Sequence, residues 1–142
     1  VRIVAILLVL MSFIIVGCAN EAGDNDKTVL TAEQIKATFE AHDIRLSEPK
    51  GLNPGNVFLR MLNQVAPEAY SIHENQLISI YVYSSGQQAE KGLKDFEEKT
   101  AAATVVPHSK YRIANVLLFY VAGPALKDER VEKVAEGLLV TK

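Results

Sequence analysis

The succession of apolar and polar positions divides the chain into three unequal parts. Ile3 to Val16 holds thirteen apolar residues and one Ser, a run that offers water no polar face in either helix or strand. As a helix it would rise about 21 Å. A bilayer core needs about 30 Å of apolar helix, so the run is short for a membrane span and fits the core of an export signal. Asn20 to Lys27 (Asn-Glu-Ala-Gly-Asp-Asn-Asp-Lys) has too little apolar surface to offset the entropy of ordering, and is expected to be a flexible tether reaching about 15–20 Å on average.

From Leu30 onward the pattern becomes that of a folded body. Thr31 and Gln34 form a capping box, with Leu30 placed to staple onto Ile35. Ile35, Phe39 and His42 then share a face, which predicts a helix over about 32–42. Ile44 and Leu46 alternate with polar neighbours as a short strand. Pro49, Gly51, Pro54 and Gly55 make Glu48 to Asn56 a loop. Val57 to Val65 has helical spacing cut short by Asn63, Gln64 and Pro67; a short helix is expected, with an irregular strand as the competing reading. Leu77 to Tyr83 is the strongest strand pattern, Ile78, Ile80 and Val82 facing one way and Ser79, Tyr81 and Tyr83 the other.

Ser85 and Gln88 form a second capping box, opening a helix over about 86–100 with Ala89, Leu93, Phe96 and Thr100 on one side. Gly92 within that stripe is expected to admit the close approach of a strand. Thr104 to Val106 reads as a short edge strand before Pro107, His108 to Lys110 as a turn, and 113–121 as a second long strand. Gly123 and Pro124 interrupt the chain before a last helix over about 126–139, whose apolar side is Val131, Val134, Ala135, Leu138 and Leu139. The expected fold is α+β: a two-layer domain with a small sheet built on the strands 77–83 and 113–121, and all three helices packed on its aliphatic face. Residues 1–17 would be the signal, 18–29 the tether and 30–142 a single globular domain.

Composition changes this picture in one respect. Of 142 residues, 49% are apolar and the formal net charge is −2, but fourteen of the apolar residues lie before Cys18. The 125 residues after Gly17 carry 14 basic and 17 acidic side chains, an ordinary and slightly acidic domain large enough for a core of its own. That balance argues against a nucleic-acid partner, whose phosphates need a concentrated basic surface. Cys18 is the one cysteine, so no intramolecular disulfide is available.

The apolar run ends Ile15-Val16-Gly17-Cys18, which resembles the lipobox of bacterial lipoproteins. The resemblance implies cleavage between Gly17 and Cys18, and a diacylglyceryl group on the Cys18 thiol as the membrane-lipid partner. It also implies residence at the extracytoplasmic face of the cell membrane. Two acyl chains anchor stably where one holds only marginally. The chain opens on Val1 with Arg2 as the sole cation before the apolar run, so an alternative start codon or further preceding residues are expected. No Lys/Arg cluster follows Cys18, so the adjacent sequence predicts no added grip on anionic lipid. Over roughly residues 30–140, and especially from Leu77 to Val121, the body is similar to small lipoproteins of endospore-forming Gram-positive bacteria, a resemblance that brings no catalytic residues with it.

Candidate chemistry is sparse. His42, His73 and His108 lie too far apart in sequence for a metal motif, and no cofactor or metal is expected. Ser84-Ser85-Gly86 lacks the frame of a nucleophile elbow, and Ser85 is expected to serve as a helix cap. Glu90/Lys94 and Glu129/Lys133 have the spacing of surface ion pairs. The remaining candidates are Tyr81, Tyr83 and Tyr120, which would form a platform for a cell-wall glycan or an envelope protein if one sheet face stayed open. Coverage by the first helix or by residues 48–62 is the preferred reading of that face. The functional expectation is a binding or interaction module without catalytic residues. The alternatives are a small envelope hydrolase whose site assembles only in three dimensions, and a structural or envelope-stress protein.

Overall fold

The computed structural model describes residues 28–140, an α+β domain with three helices and one antiparallel sheet. The sheet has four strands: β1 (Glu68–Ile72), β2 (Gln76–Val82), β3 (Ser109–Ile113) and β4 (Val116–Val121), in the order β1-β2-β4-β3. The two most apolar strands lie at its centre, with Ile78 opposite Tyr120 and Ile80 opposite Leu118. The helices are α1 (Ala32–Ala41), α2 (Gly86–Thr100) and α3 (Arg130–Val140).

Thr31 and Gln34 form the full capping box expected, whereas at α2 only the Ser85 half forms, the Gln88 side chain accepting instead from Asn63. Thr31 accepts from the Gln34 N–H while the Gln34 side chain accepts from the Thr31 N–H. Ser85 likewise accepts from the Gln88 N–H at 3.2 Å. The α2 bounds agree with the expected ones because a strong cap and a clear apolar stripe coincide there.

Helices cover both faces of the sheet, in place of the expected single face. α1 and α3 pack on Ile78, Ile80, Val116, Leu118 and Tyr120. α2, with Phe58 and Leu62 from the preceding loop, covers Leu77, Tyr81, Tyr83, Leu117 and Phe119 on the opposite side. The reason lies in β2 and β4, whose alternate residues are apolar on both sides; a strand with two apolar faces needs a layer on each. The result is three layers with the sheet in the middle.

Other differences concern local structure. Residues 113–121 form a hairpin rather than one strand: Ile113 pairs with Val116, and Ala114 takes φ +49° in the intervening two-residue turn. Left-handed backbone of this kind is what a tight hairpin demands. The edge strand is therefore β3, and residues 104–108, including the expected strand 104–106, have no regular structure. β1 was absent from the expected elements. Near Ile44 and Leu46 the chain makes only a single bridge, Ser47 to Ser71. The ambiguous segment is a one-turn 3₁₀ helix, Val57–Leu59, followed by a tight reversal at Asn63 and Gln64. α3 begins near Arg130 rather than 126, leaving Leu126 exposed.

Candidate functional site

The three predicted tyrosines are not assembled into an open platform. Tyr81 and Tyr83 do share a face, their rings stacked with centroids 6.4 Å apart, but that face is covered and both side chains are buried. Tyr120 follows the parity of β4 to the other face, where it packs in the α1/α3 core. The correction follows from register: Tyr120 lies opposite Ile78, not beside Tyr81.

These phenols instead tie down loops. The Tyr81 hydroxyl donates toward the carbonyls of Arg60 (2.7 Å) and Phe58 (3.2 Å), and that of Tyr83 toward Leu62 (3.2 Å). Burial raises the Tyr81 pKa well above the usual phenol range, with a smaller contribution from neighbouring Tyr83. Burial and then the Asp95 carboxylate push Tyr83 up to about 12. Both therefore remain donors at neutral pH. Gly92 has the role its position suggested: a Cβ there would overlap the Tyr83 hydroxyl and stand 2.5 Å from Cζ. Tyr81→Phe is expected to cost about 1–2 kcal/mol, since it strips one buried and one half-buried carbonyl of their shared donor. Urea denaturation checks this, and an unchanged midpoint would show that these bonds contribute nothing net.

At the end of the sheet where the β1–β2 turn lies, charged groups converge on Asp128. Arg130 approaches it with Nε and a terminal nitrogen at 3.0 and 2.6 Å, its backbone N–H lies at 3.0 Å, and His73 Nε2 at 3.0 Å. The other end of the Arg130 guanidinium donates to the Asp43 carbonyl. Alongside, Tyr120 receives the Asp128 N–H and donates to Gln76, which in turn donates to the Leu126 carbonyl. A cleft of about 350 Å³ is bordered here by Asp43, Arg45, Ser47, His73 and Arg130.

A histidine held by a carboxylate is half of a nucleophilic constellation. Among the described residues, however, no hydroxyl or thiol hydrogen-bonds to the second nitrogen of His73. Asp128 is shared among four donors that fasten the entrance of α3 to the β1–β2 turn and to the end of α1. Hydrogen bonds from the Arg130 side chain, then from His73 and the Arg130 N–H, hold the Asp128 carboxyl well below the usual carboxylate range. The unfolded chain thus binds this proton more tightly than the folded one, so the contribution is present above about pH 4 and fades as pH falls further. Asp128→Asn is expected to lower stability at pH 7 by about 2 kcal/mol and to flatten its acid dependence. Thermal melts across pH check this; parallel pH profiles for the two proteins would contradict it.

The opposite end of the sheet has a different character. Asn115, fully buried in the β3–β4 turn, accepts from the Leu30 N–H (2.7 Å) and donates to the carbonyls of Leu30 (3.0 Å) and Tyr83 (2.7 Å). The chain thus enters the body at a fixed point beside the end of β2 and the start of α2. Nearby, Gly86, Gln87, Glu90, Lys91, Lys94 and Arg112 line an open hollow of about 460 Å³. Glu90 pairs with Arg112 at 3.2 Å rather than with Lys94, because β3 brings the guanidinium alongside α2. The expected Glu129/Lys133 pair is likewise absent among the described residues, where Asp95–Lys99 is the i,i+4 pair that forms.

Sequence reasoning pointed to none of the partners of Asp128 or Asn115. His73 is 55 residues from Asp128 and Leu30 is 85 residues from Asn115, so no local spacing could signal either. His42 donates from Nδ1 to the Thr38 carbonyl, and His108 packs edge-on against Phe58 and Phe96. Among the described residues no group of three or more His, Cys, Asp or Glu is arranged to hold a metal. Gly17 and Cys18 lie outside the described residues. No protein-family profile, curated protein or solved structure matches the chain.

Proposed function

We propose that this chain is the precursor of a bacterial lipoprotein, cut between Gly17 and Cys18 and anchored at the extracytoplasmic face of the cell membrane by a diacylglyceryl group on Cys18. The observation that carries the reading is the sequence Ile15-Val16-Gly17-Cys18, with the chain's one cysteine closing an apolar run of signal length. The body described from residue 28 is consistent with such a division: both cores are built from residues between Leu30 and Leu138. No helix among the described residues is long and apolar enough to cross a membrane.

The body is proposed to act as a binding or interaction module of the envelope. Because helices and loops cover both sheet faces, recognition belongs to the ends of the sheet and to the outer edge of β3. Cys18→Ser tests the anchoring: the variant is expected to accumulate as uncut precursor without acyl label when cells are fed a labelled fatty acid. Normal labelling of that variant would overturn the reading.

A further inference from the structure

The hollow beside the entry point of the chain joins two independent observations, one of position and one of charge. Its place is fixed by backbone pairing. Val82 pairs with Val116 and Ile113 with Val116, so the end of β2, the β3–β4 turn and the start of α2 lie together, and Asn115 fastens Leu30 to the same end. Leu30 lies twelve positions after Cys18. If that stretch is the flexible tether its sequence predicts, its ends average about 17–21 Å apart, and the β1–β2 turn lies roughly 20 Å further away along the strands.

The charge of the hollow opposes that of the body. Lys91, Lys94 and Arg112 border the hollow against one acid, Glu90, and Glu90 is already engaged by Arg112. Lys91 and Lys94 are exposed and form no ion pair among the described residues. The hollow is therefore net positive, whereas the 125 residues after Gly17 are net −3. An anionic surface would attract the hollow and repel the body's net negative charge.

We propose that this end of the body docks on an anionic lipid surface, with Lys91, Lys94 and Arg112 against the headgroups. The proposal rests on Cys18 being the anchored residue, which brings this end nearest to the bilayer. The sequence next to Cys18 has no basic cluster, and folding supplies one by setting β3 beside α2. Each cation held near an anionic surface strengthens association about fivefold, so the two unpaired lysines together contribute about 25-fold, an effect confined to roughly a Debye length of the surface.

The test uses the chain from Cys18, which contains every residue of both cores. It is coupled through the Cys18 thiol to a maleimide-headgroup lipid, so docking is measured whether or not cells acylate that residue. Vesicles of phosphatidylcholine alone are compared with vesicles also containing phosphatidylglycerol, both doped with a headgroup spin label. Amide resonances around Lys91, Lys94 and Arg112 are expected to broaden in the anionic vesicles more than those around His73 and Asp128. Salt, or Lys91→Glu with Lys94→Glu, is expected to lower the docked population at least tenfold. Equal broadening in the two vesicle types, no broadening at the hollow, or broadening centred on the His73 end would overturn the proposal. The mass of the full-length chain's product recovered from bacterial membranes separately decides the fate of Cys18.

Discussion

Replacing Asn115 by Leu is expected to lower stability by about 3–5 kcal/mol, the largest effect of any single substitution considered for this fold. The side chain is fully buried and satisfies three backbone groups, the Leu30 N–H and the carbonyls of Leu30 and Tyr83. Leu matches it approximately in size but offers neither donor nor acceptor. The desolvation cost of each stranded group is about 1–3 kcal/mol, and partial access of water to the loosened Leu30 reduces the sum. In a domain with about 5–15 kcal/mol to lose, the midpoint of thermal unfolding should fall by about 15 °C or more. Hydrogen exchange adds a local readout: the Leu30 amide should lose protection well before the amides of β4. A melt within a few degrees of the parent protein would show that the chain entry is not fastened in this way.

Gly92→Ala is expected to destabilise by about 2–4 kcal/mol, although Ala is the better helix former by about 1 kcal/mol. The sign is decided by space. The new methyl group would overlap the Tyr83 hydroxyl, and Tyr83 is buried, stacked on Tyr81 and hydrogen-bonded to the Leu62 carbonyl. Either the ring moves and surrenders that bond, or α2 lifts from the sheet and opens the Phe96–Phe119 contact, whose ring centroids are 4.5 Å apart. Overpacking of this kind costs more than the helix propensity returns. In a Tyr83→Phe background the hydroxyl is gone and Gly92→Ala should cost measurably less, by about 1 kcal/mol. Equal penalties in the two backgrounds would place the origin of the effect elsewhere.

Gly92 also shows what can be read from a sequence like this and what cannot. Its place on an apolar helical stripe marks it as a point of close approach, while the identity of the neighbour, Tyr83, required the fold. α1 and α2 are legible because cap and apolar periodicity agree over ten or more residues, with the Leu30 staple adding to α1. β1 was not, because Glu68-Ala-Tyr-Ser-Ile mixes polar and apolar positions at a half-covered edge and leaves no clean alternation. The β3–β4 hairpin is concealed for the opposite reason. Its turn, Ala114-Asn115, is buried within a nearly continuous apolar run, so the usual contrast between strand and turn is missing. The two-faced character of β4, apolar at every position from Val116 to Val121, was the available sign that both sides of the sheet would be covered. The tyrosine platform failed on that same point, since an aromatic face wide enough to bind a partner is also wide enough to pack a helix.

The attachment of Leu30 to Asn115 bears on how the body would carry mechanical load. If the polypeptide is held at Cys18, any pull on the body passes through Leu30 and reaches Asn115 first, at the turn joining β3 to the central strand β4. As long as that junction holds, tension goes directly into the sheet and bypasses α1. Once it parts, the line of force runs along α1, whose seating depends on Ile35 and Phe39 against the α3 layer. The helix would then peel away turn by turn, exposing one core while the Tyr81/Phe96 side stays closed. Asn115 would thus act as a mechanical fuse, setting the tension below which the body rides on its lipid intact and above which it opens from one side.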